Sequence, residues 1–194
     1  MKASKSDLPV LSFKHQQAWE AWLAKHAASS AGLWLNVAKK SADLESVTYQ
    51  EALEVALCYG WIDGQKKAFD DRSWLQKFTP RGSRSIWSKI NRTKAAALIK
   101  QNRMRPAGLG AIETAKANGR WDAAYDSHRT AVAPEDFESA LDTSPKAKAF
   151  FATLNRQNRY AILFRIQTVK KAETRQRRID QFVQMLAKGE QLYP

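Results

Sequence analysis

The chain has 194 residues, 44% of them hydrophobic and 26% charged, a composition that excludes wholesale disorder and suits one large domain or a domain with a helical appendage. Its 32 Lys and Arg against 19 Asp and Glu give a net charge of +13, which points to anionic partners without specifying a fold. No apolar run approaches the roughly 18 residues of a membrane span, so membrane insertion is not expected.

The polar start from Met1 to Asp7 leads into only Leu8-Pro9-Val10-Leu11, which reads as too short for a signal peptide. Cys58 is the single cysteine, so no internal disulfide can form and a reducing cytoplasm is the expected location. The excess charge is concentrated. Residues 64–105 carry twelve basic and two acidic side chains, and 156–194 carry nine and three; the other segments are near neutral. Either the two blocks solubilise exposed helix faces or they meet an anionic partner.

Ser12 can cap a helix to about Ala28, with Ala18, Trp19, Trp22, Leu23 and His26 on one stripe. Residues 33–38 (Leu-Trp-Leu-Asn-Val-Ala) are too short and bulky for a helix and read as a strand. Thr48-Tyr49-Gln50-Glu51 is a capping box opening a helix that Gly60 stops. Two short strands, from Trp61 and from Arg72 to Thr79, then form a β-hairpin with 33–38 as a third strand, although Asp63-Gly64 could be a turn in its own right. Helices follow near 88–99 and from Pro106 to the stop at Asn118-Gly119. A loop from Arg120 to Ala133 precedes helices near 134–142, 145–154, 156–168 and 172–188. The expected fold is α+β and mainly helical: helices around a small antiparallel β-sheet with its hairpin near 61–79, followed by a helical C-terminal unit. The expected domains are residues 1–130 and 134–194.

Four blocks carry a resemblance. They are Ala56-Leu57-Cys58-Tyr59-Gly60-Trp61-Ile62-Asp63-Gly64-Gln65-Lys66-Lys67, Leu75-Gln76-Lys77-Phe78-Thr79-Pro80-Arg81, Ile86-Trp87-Ser88-Lys89-Ile90-Asn91 and Lys170-Lys171-Ala172-Glu173-Thr174-Arg175-Gln176-Arg177-Arg178-Ile179. In content and order they resemble the YdeI/OmpD-associated, or bacteriocin-protection, family. That resemblance implies a bacterial protein linked to envelope stress and protection from antimicrobial peptides. It supplies no catalytic residues. Where the family often continues after Thr-Pro-Arg with a further Arg- or Pro-rich stretch, this chain has Gly82-Ser83.

The densest functional constellation is Trp61, Asp63, Lys66, Trp74, Gln76, Arg81, Trp87, Lys89, Asn91 and Arg92. Strand alternation places Trp61 and Asp63 on one face and Trp74, Gln76 and Phe78 on one face of the next strand, so a hairpin could set Asp63 beside Gln76. Three readings compete. In the first, Trp61 and Trp87 are core and Asp63 is a turn residue paired with Arg81. In the second, an anionic ligand sits against Lys66, Arg81, Lys89 and Asn91, with Trp61 and Trp87 as aromatic walls and Asp63 orienting it. In the third, the chain is a small-molecule enzyme with Asp63 as its candidate catalytic general base.

Familiar catalytic signatures are missing. His15, His26 and His128 lack metal-ligand spacing, and Gly108-Leu109-Gly110 lies within a helix and lacks a phosphate-loop lysine. No metal and no cofactor is therefore expected. His26 is expected to be partly buried, and Cys58 to be a small core residue. Lys170, Lys171, Arg175, Arg177 and Arg178 read as a solvated helix face with Glu173 paired to Arg177, above an apolar side of Ile179, Phe182, Val183 and Leu186. The expected function is a cytoplasmic stress or peptide-protection factor that binds an anionic small molecule. The alternative is a nucleic-acid-binding protein using both basic blocks as one track.

Overall fold

Four strands and eight helices build residues 8–194, the part of the chain this computed structural model describes. The polar segment 1–7, judged above for a signal peptide, lies outside the described residues. The chain divides into two units, one of residues Met1–Ser85 and Asn91–Asp122, the other of Ile86–Ile90 and Ala123–Pro194.

The first unit contains β1 (Val10–Ser12), α1 (Gln16–His26), β2 (Leu33–Ala38), α2 (Tyr49–Cys58), β3 (Trp61–Ala68), β4 (Ser73–Pro80), most of α3 (Lys89–Lys100) and α4 (Pro106–Ala117). The sheet order is β1-β2-β4-β3. The antiparallel expectation holds for β2, β4 and β3, while β1 runs parallel to β2 and makes the sheet mixed. Ser12 is therefore no helix cap. It pairs with Asn36 at the end of β1, and α1 starts later, with His15 Nδ1 accepting from the Ala18 amide at 3.2 Å. Pairing along the edge of β2 satisfies the Val10-Leu11-Ser12 backbone, and this tertiary gain overrides local capping preference.

In β2, Leu33, Leu35 and Val37 are buried while Trp34, Asn36 and Ala38 are only partly covered, as a strand with two unequal faces requires. Trp19, Leu23, Leu33, Leu35, Trp61 and Phe78 form the fully buried heart of this unit. Each such side chain contributes about 1.5–3 kcal/mol by leaving water. The capping box of α2 is complete: Thr48 Oγ1 accepts from the Glu51 amide and Glu51 Oε2 accepts from the Thr48 amide. Gly60 then takes φ +72°, a conformation in which a Cβ would also strike Ala107 O at 2.7 Å. His26 departs from expectation: it is exposed at the end of α1 and stacks on Trp22 with ring centroids 4.9 Å apart. A position in the last turn leaves it on the solvent side of the indole.

The second unit contains α5 (Glu135–Asp142), α6 (Pro145–Thr153), α7 (Arg156–Gln167) and α8 (Ala172–Ala187). All four lie where the helical periodicity placed them. Phe137, Leu141, Phe151, Ile162, Ile166, Ile179, Phe182 and Leu186 make its core. The Glu173–Arg177 pair is not among the ion pairs of the described residues. Arg175 instead bridges to Asp136 on α5, with Nε 2.5 Å from Oδ2, and donates to Ile166 O at 2.9 Å. Asp136 binds the planar Arg175 guanidinium at both Nε and Nη2, the paired geometry in which charge-assisted hydrogen bonds are strongest. Among the described residues no helix is long and apolar enough to cross a membrane.

Candidate functional site

The hairpin of β3 and β4 is set from both ends. At its tip, Asp70 Oδ1 accepts from the Arg72 amide (2.8 Å), the Ser73 amide (2.6 Å) and Ser73 Oγ (2.9 Å). The Ser73 hydroxyl and these amides stabilise the carboxylate and hold its pKa below the ordinary aspartate value. At its base, Gly60 O accepts from the Arg81 amide at 2.9 Å.

Between the ends the pairing slips. Asp63 stands opposite Phe78, but Lys66 stands opposite Gln76, so Gly64 and Gln65 together face Lys77 in a β-bulge. Asp63 and Gln76 are consequently not cross-strand partners, contrary to the simple alternation. Gln76 is 4% exposed, and its Nε2 lies 2.9 Å from Gly64 O and 3.3 Å from both Gln65 O and Lys77 O. Its amide thus satisfies backbone carbonyls that the bulge withdraws from the ladder.

Asp63 is brought together with Asn91 and with Tyr49, which sequence reasoning did not single out. The Tyr49 hydroxyl donates to Oδ2 at 2.7 Å and Asn91 Nδ2 to Oδ1 at 3.4 Å. Both carboxylate oxygens therefore already accept protein hydrogen bonds, an arrangement that fixes a carboxylate in place. Trp61 is 1% exposed; its indole donates to Ala27 O at 3.2 Å and meets Trp19 and Trp22 edge-on. It is a core residue with a satisfied polar handle and offers no ring face to a ligand. Arg81 is partly buried.

Trp87 and Lys89 fall in the second unit. Trp87 is buried, and its carbonyl accepts from the Tyr125 amide at 2.9 Å. Lys89 Nζ lies 2.8 Å from Asp126 Oδ1. Burial opposes the charge on Asp126, but hydrogen bonds from Lys89 and Gln167, with the lysine's charge, outweigh it and hold the carboxyl below its ordinary value.

The basic block 64–105 is partly neutralised by distant carboxylates. Glu54 takes Lys94 at 3.1 Å and Arg103 at 3.3 Å, and Glu20 takes Arg105 at 3.0 Å. Arg92 and Arg72 donate to the carbonyls of Trp121 and Asp43. Three lysines behave differently, because they lie over tryptophans. Lys67 Nζ is 4.4 Å and Lys77 Nζ 5.8 Å from the centre of the same Trp34 ring, and Lys66 Nζ is 5.8 Å from Trp74. Register explains the grouping: Trp34 is opposite Lys77 on β2–β4, and Lys67 is opposite Leu75 on the next strand, all with one parity. The helix α1 packs on the other face, where Trp19 meets Phe78. Trp34, Lys67 and Lys77 were not singled out from sequence, although the alternation in 33–38 already set Trp34 apart from Leu33 and Leu35.

Residues 11–111, just over half of the chain, match a family model described as a domain of unknown function (DUF8412). Residues 130–189 match one described as "Bacteriocin-protection, YdeI or OmpD-Associated". The chain belongs to the first family and carries the YdeI/OmpD-associated domain of the second. Of the four blocks that carried the resemblance, the one at 170–179 lies in the YdeI/OmpD-associated domain and the other three lie in the DUF8412 match. No curated protein and no solved structure matches the chain. Among the described residues no three His, Cys, Asp or Glu side chains gather as metal ligands.

Proposed function

We propose that this DUF8412 and YdeI/OmpD-associated protein is a cytoplasmic stress or bacteriocin-protection factor that works by binding an anionic partner on the Trp34 face of its hairpin. The observation that carries this reading is the sharing of one indole by two ammonium groups, Lys67 at 4.4 Å and Lys77 at 5.8 Å. Two like charges held over one ring create a local positive potential that an anion relieves.

Single-stranded nucleic acid is the partner whose chemistry fits best. A base replaces Lys67 over the partly exposed indole, and the two displaced ammonium groups move to the flanking phosphates. Lys66 over Trp74 repeats the motif on the other face of β3, and the sequence candidates Asp63, Gln76 and Asn91 support the hairpin from behind. A small anion without a ring would use the lysines alone.

Fluorescence anisotropy with labelled single-stranded nucleic acid at low and physiological salt tests this. With Lys67 and Lys77 as the phosphate contacts, the log–log salt slope is about −1.4. Trp34→Leu weakens binding by about 1–3 kcal/mol. Binding that falls with Lys67→Gln and Lys77→Gln but is indifferent to Trp34→Leu points to a non-aromatic anion instead. Binding unchanged by all three substitutions overturns the reading.

A further inference from the structure

The second unit contains a groove of about 720 Å³, of the size that small-molecule sites occupy. Its floor is apolar: Leu141, Phe151, Leu154 and Leu163 are buried core residues that also line it. Ala131 and Ala133 form a small-residue wall, and Val132 between them is 77% exposed at the lip. An apolar side chain held in water beside an apolar groove is relieved by an apolar occupant.

The charged lining is uneven. Lys148 is ion-paired with Asp142 on one side. Arg156 and Arg159, both exposed and both lining the groove, have no carboxylate within ion-pairing distance among the described residues. The Arg159 guanidinium lies 5.1 Å from the Phe151 ring centre, which ties the cationic edge to the apolar floor. At i and i+3 the two arginines share one face of α7, an arrangement of like charges that is unfavourable without an anion between them. Counting Lys148 with them against Glu138 and Asp142, the lining carries one net positive charge. A monoanion balances it; a doubly charged phosphate or a polyanion does not.

We infer that this groove in the YdeI/OmpD-associated domain binds a long-chain carboxylate, with the alkyl chain on Leu141, Phe151, Leu154 and Leu163 and the carboxylate on Arg156 and Arg159. Arg presents planar paired donors that match a carboxylate, and the chain removes the floor from water. The inference does not rest on the hairpin reading and concerns a different ligand class.

The test is isothermal titration calorimetry of the full chain with dodecanoate below its micellar concentration, beside dodecanol and acetate. Saturable one-to-one binding of dodecanoate is expected, with dodecanol weaker and acetate undetectable. The double variant Arg156→Gln, Arg159→Gln should lose dodecanoate affinity by about tenfold or more and leave dodecanol unchanged. Ala152→Trp, at an exposed groove position on α6, should block both, with circular dichroism and thermal melting confirming that it folds. Trp34→Leu should leave dodecanoate binding intact, so failure here is separable from failure of the hairpin reading. Absence of saturable dodecanoate binding to the unaltered chain, or binding indifferent to both groove variants, overturns the inference.

Discussion

The Tyr49 hydroxyl donates to Asp63 Oδ2 at 2.7 Å, joining the first residue of α2 to the strand that follows that helix. Tyr49 also packs against Trp74 on β4, with ring centroids 5.9 Å apart, so one side chain fastens the helix to both strands of the hairpin. Hydrogen bonds to charged groups contribute about 1.5–3 kcal/mol. Tyr49→Phe keeps the ring contact and loses the bond to the carboxylate. Urea unfolding should show stability lower by about 1.5–3 kcal/mol with an unchanged m-value. If Tyr49→Phe is neutral, Asp63 is not held by this bond.

Gln76 makes a sharper case, because three backbone carbonyls converge on its amide. Gln76→Leu leaves those carbonyls without their donor in a site that is nearly closed to water, at a cost of about 1–3 kcal/mol. Gln76→Glu is worse, since a carboxylate would face carbonyl oxygens. The ordering Gln76 > Gln76→Leu > Gln76→Glu in denaturant midpoint at neutral pH is the expected result. A Glu variant as stable as the Leu variant would mean that the bulge reopens to water.

Much of the fold is legible from local signals. The short, bulky Leu33–Ala38 run, the Thr48/Glu51 box and Pro106 at the start of α4 each act within a few residues, and each lands where expected. Apart from His26, the misses depend on partners far along the chain. A three-residue strand such as β1 has no local signature and exists because β2 offers an edge. The bulge after Asp63 is a property of the pairing with β4, so simple alternation misplaced Asp63 against Gln76. The candidate site suffered similarly. Charge density along 64–105 suggested one cationic cluster, but Glu20 and Glu54, far earlier in sequence, take Lys94, Arg103 and Arg105 out of it. Trp34 lies outside that block, and only strand register brings Lys67 and Lys77 over it.

Two glycines in α4 should respond in opposite directions to the same substitution. A Cβ on Gly108 would stand 2.3 Å from Cys58 O and 2.8 Å from Leu57 O, at the closest approach of α4 to the end of α2. Neither carbonyl can move without disturbing its helix, so Gly108→Ala should destabilise by about 1–3 kcal/mol. A Cβ on Gly110 meets nothing within 4 Å. Gly110→Ala should therefore stabilise by about 0.5–1 kcal/mol through helix propensity. Thermal melting of the two variants should move on either side of the parent; movement in the same direction would show that the α2–α4 approach is not rigid.

The acid limb of stability should be set in part by Asp136. Its hydrogen bonds from Arg175 are the largest influence on it and hold the carboxyl below its ordinary value, against a smaller opposing effect of burial. A depressed folded-state pKa stabilises the fold above the unfolded value of about 3.9, and the contribution is lost as pH falls below that toward the folded value. Asp126, lowered through Lys89 and Gln167, adds to the loss in the same window. The Asp136 side chain is 42% exposed, so salt screens the pair and its effect is modest. Arg175→Gln should lower stability at neutral pH and flatten the decline below about pH 4, because Asp136 then titrates nearer its unfolded value. Chemical denaturation at a series of pH values compares the two proteins directly. Parallel curves for parent and variant would mean that Arg175 acts through Ile166 O alone and leaves the Asp136 titration untouched.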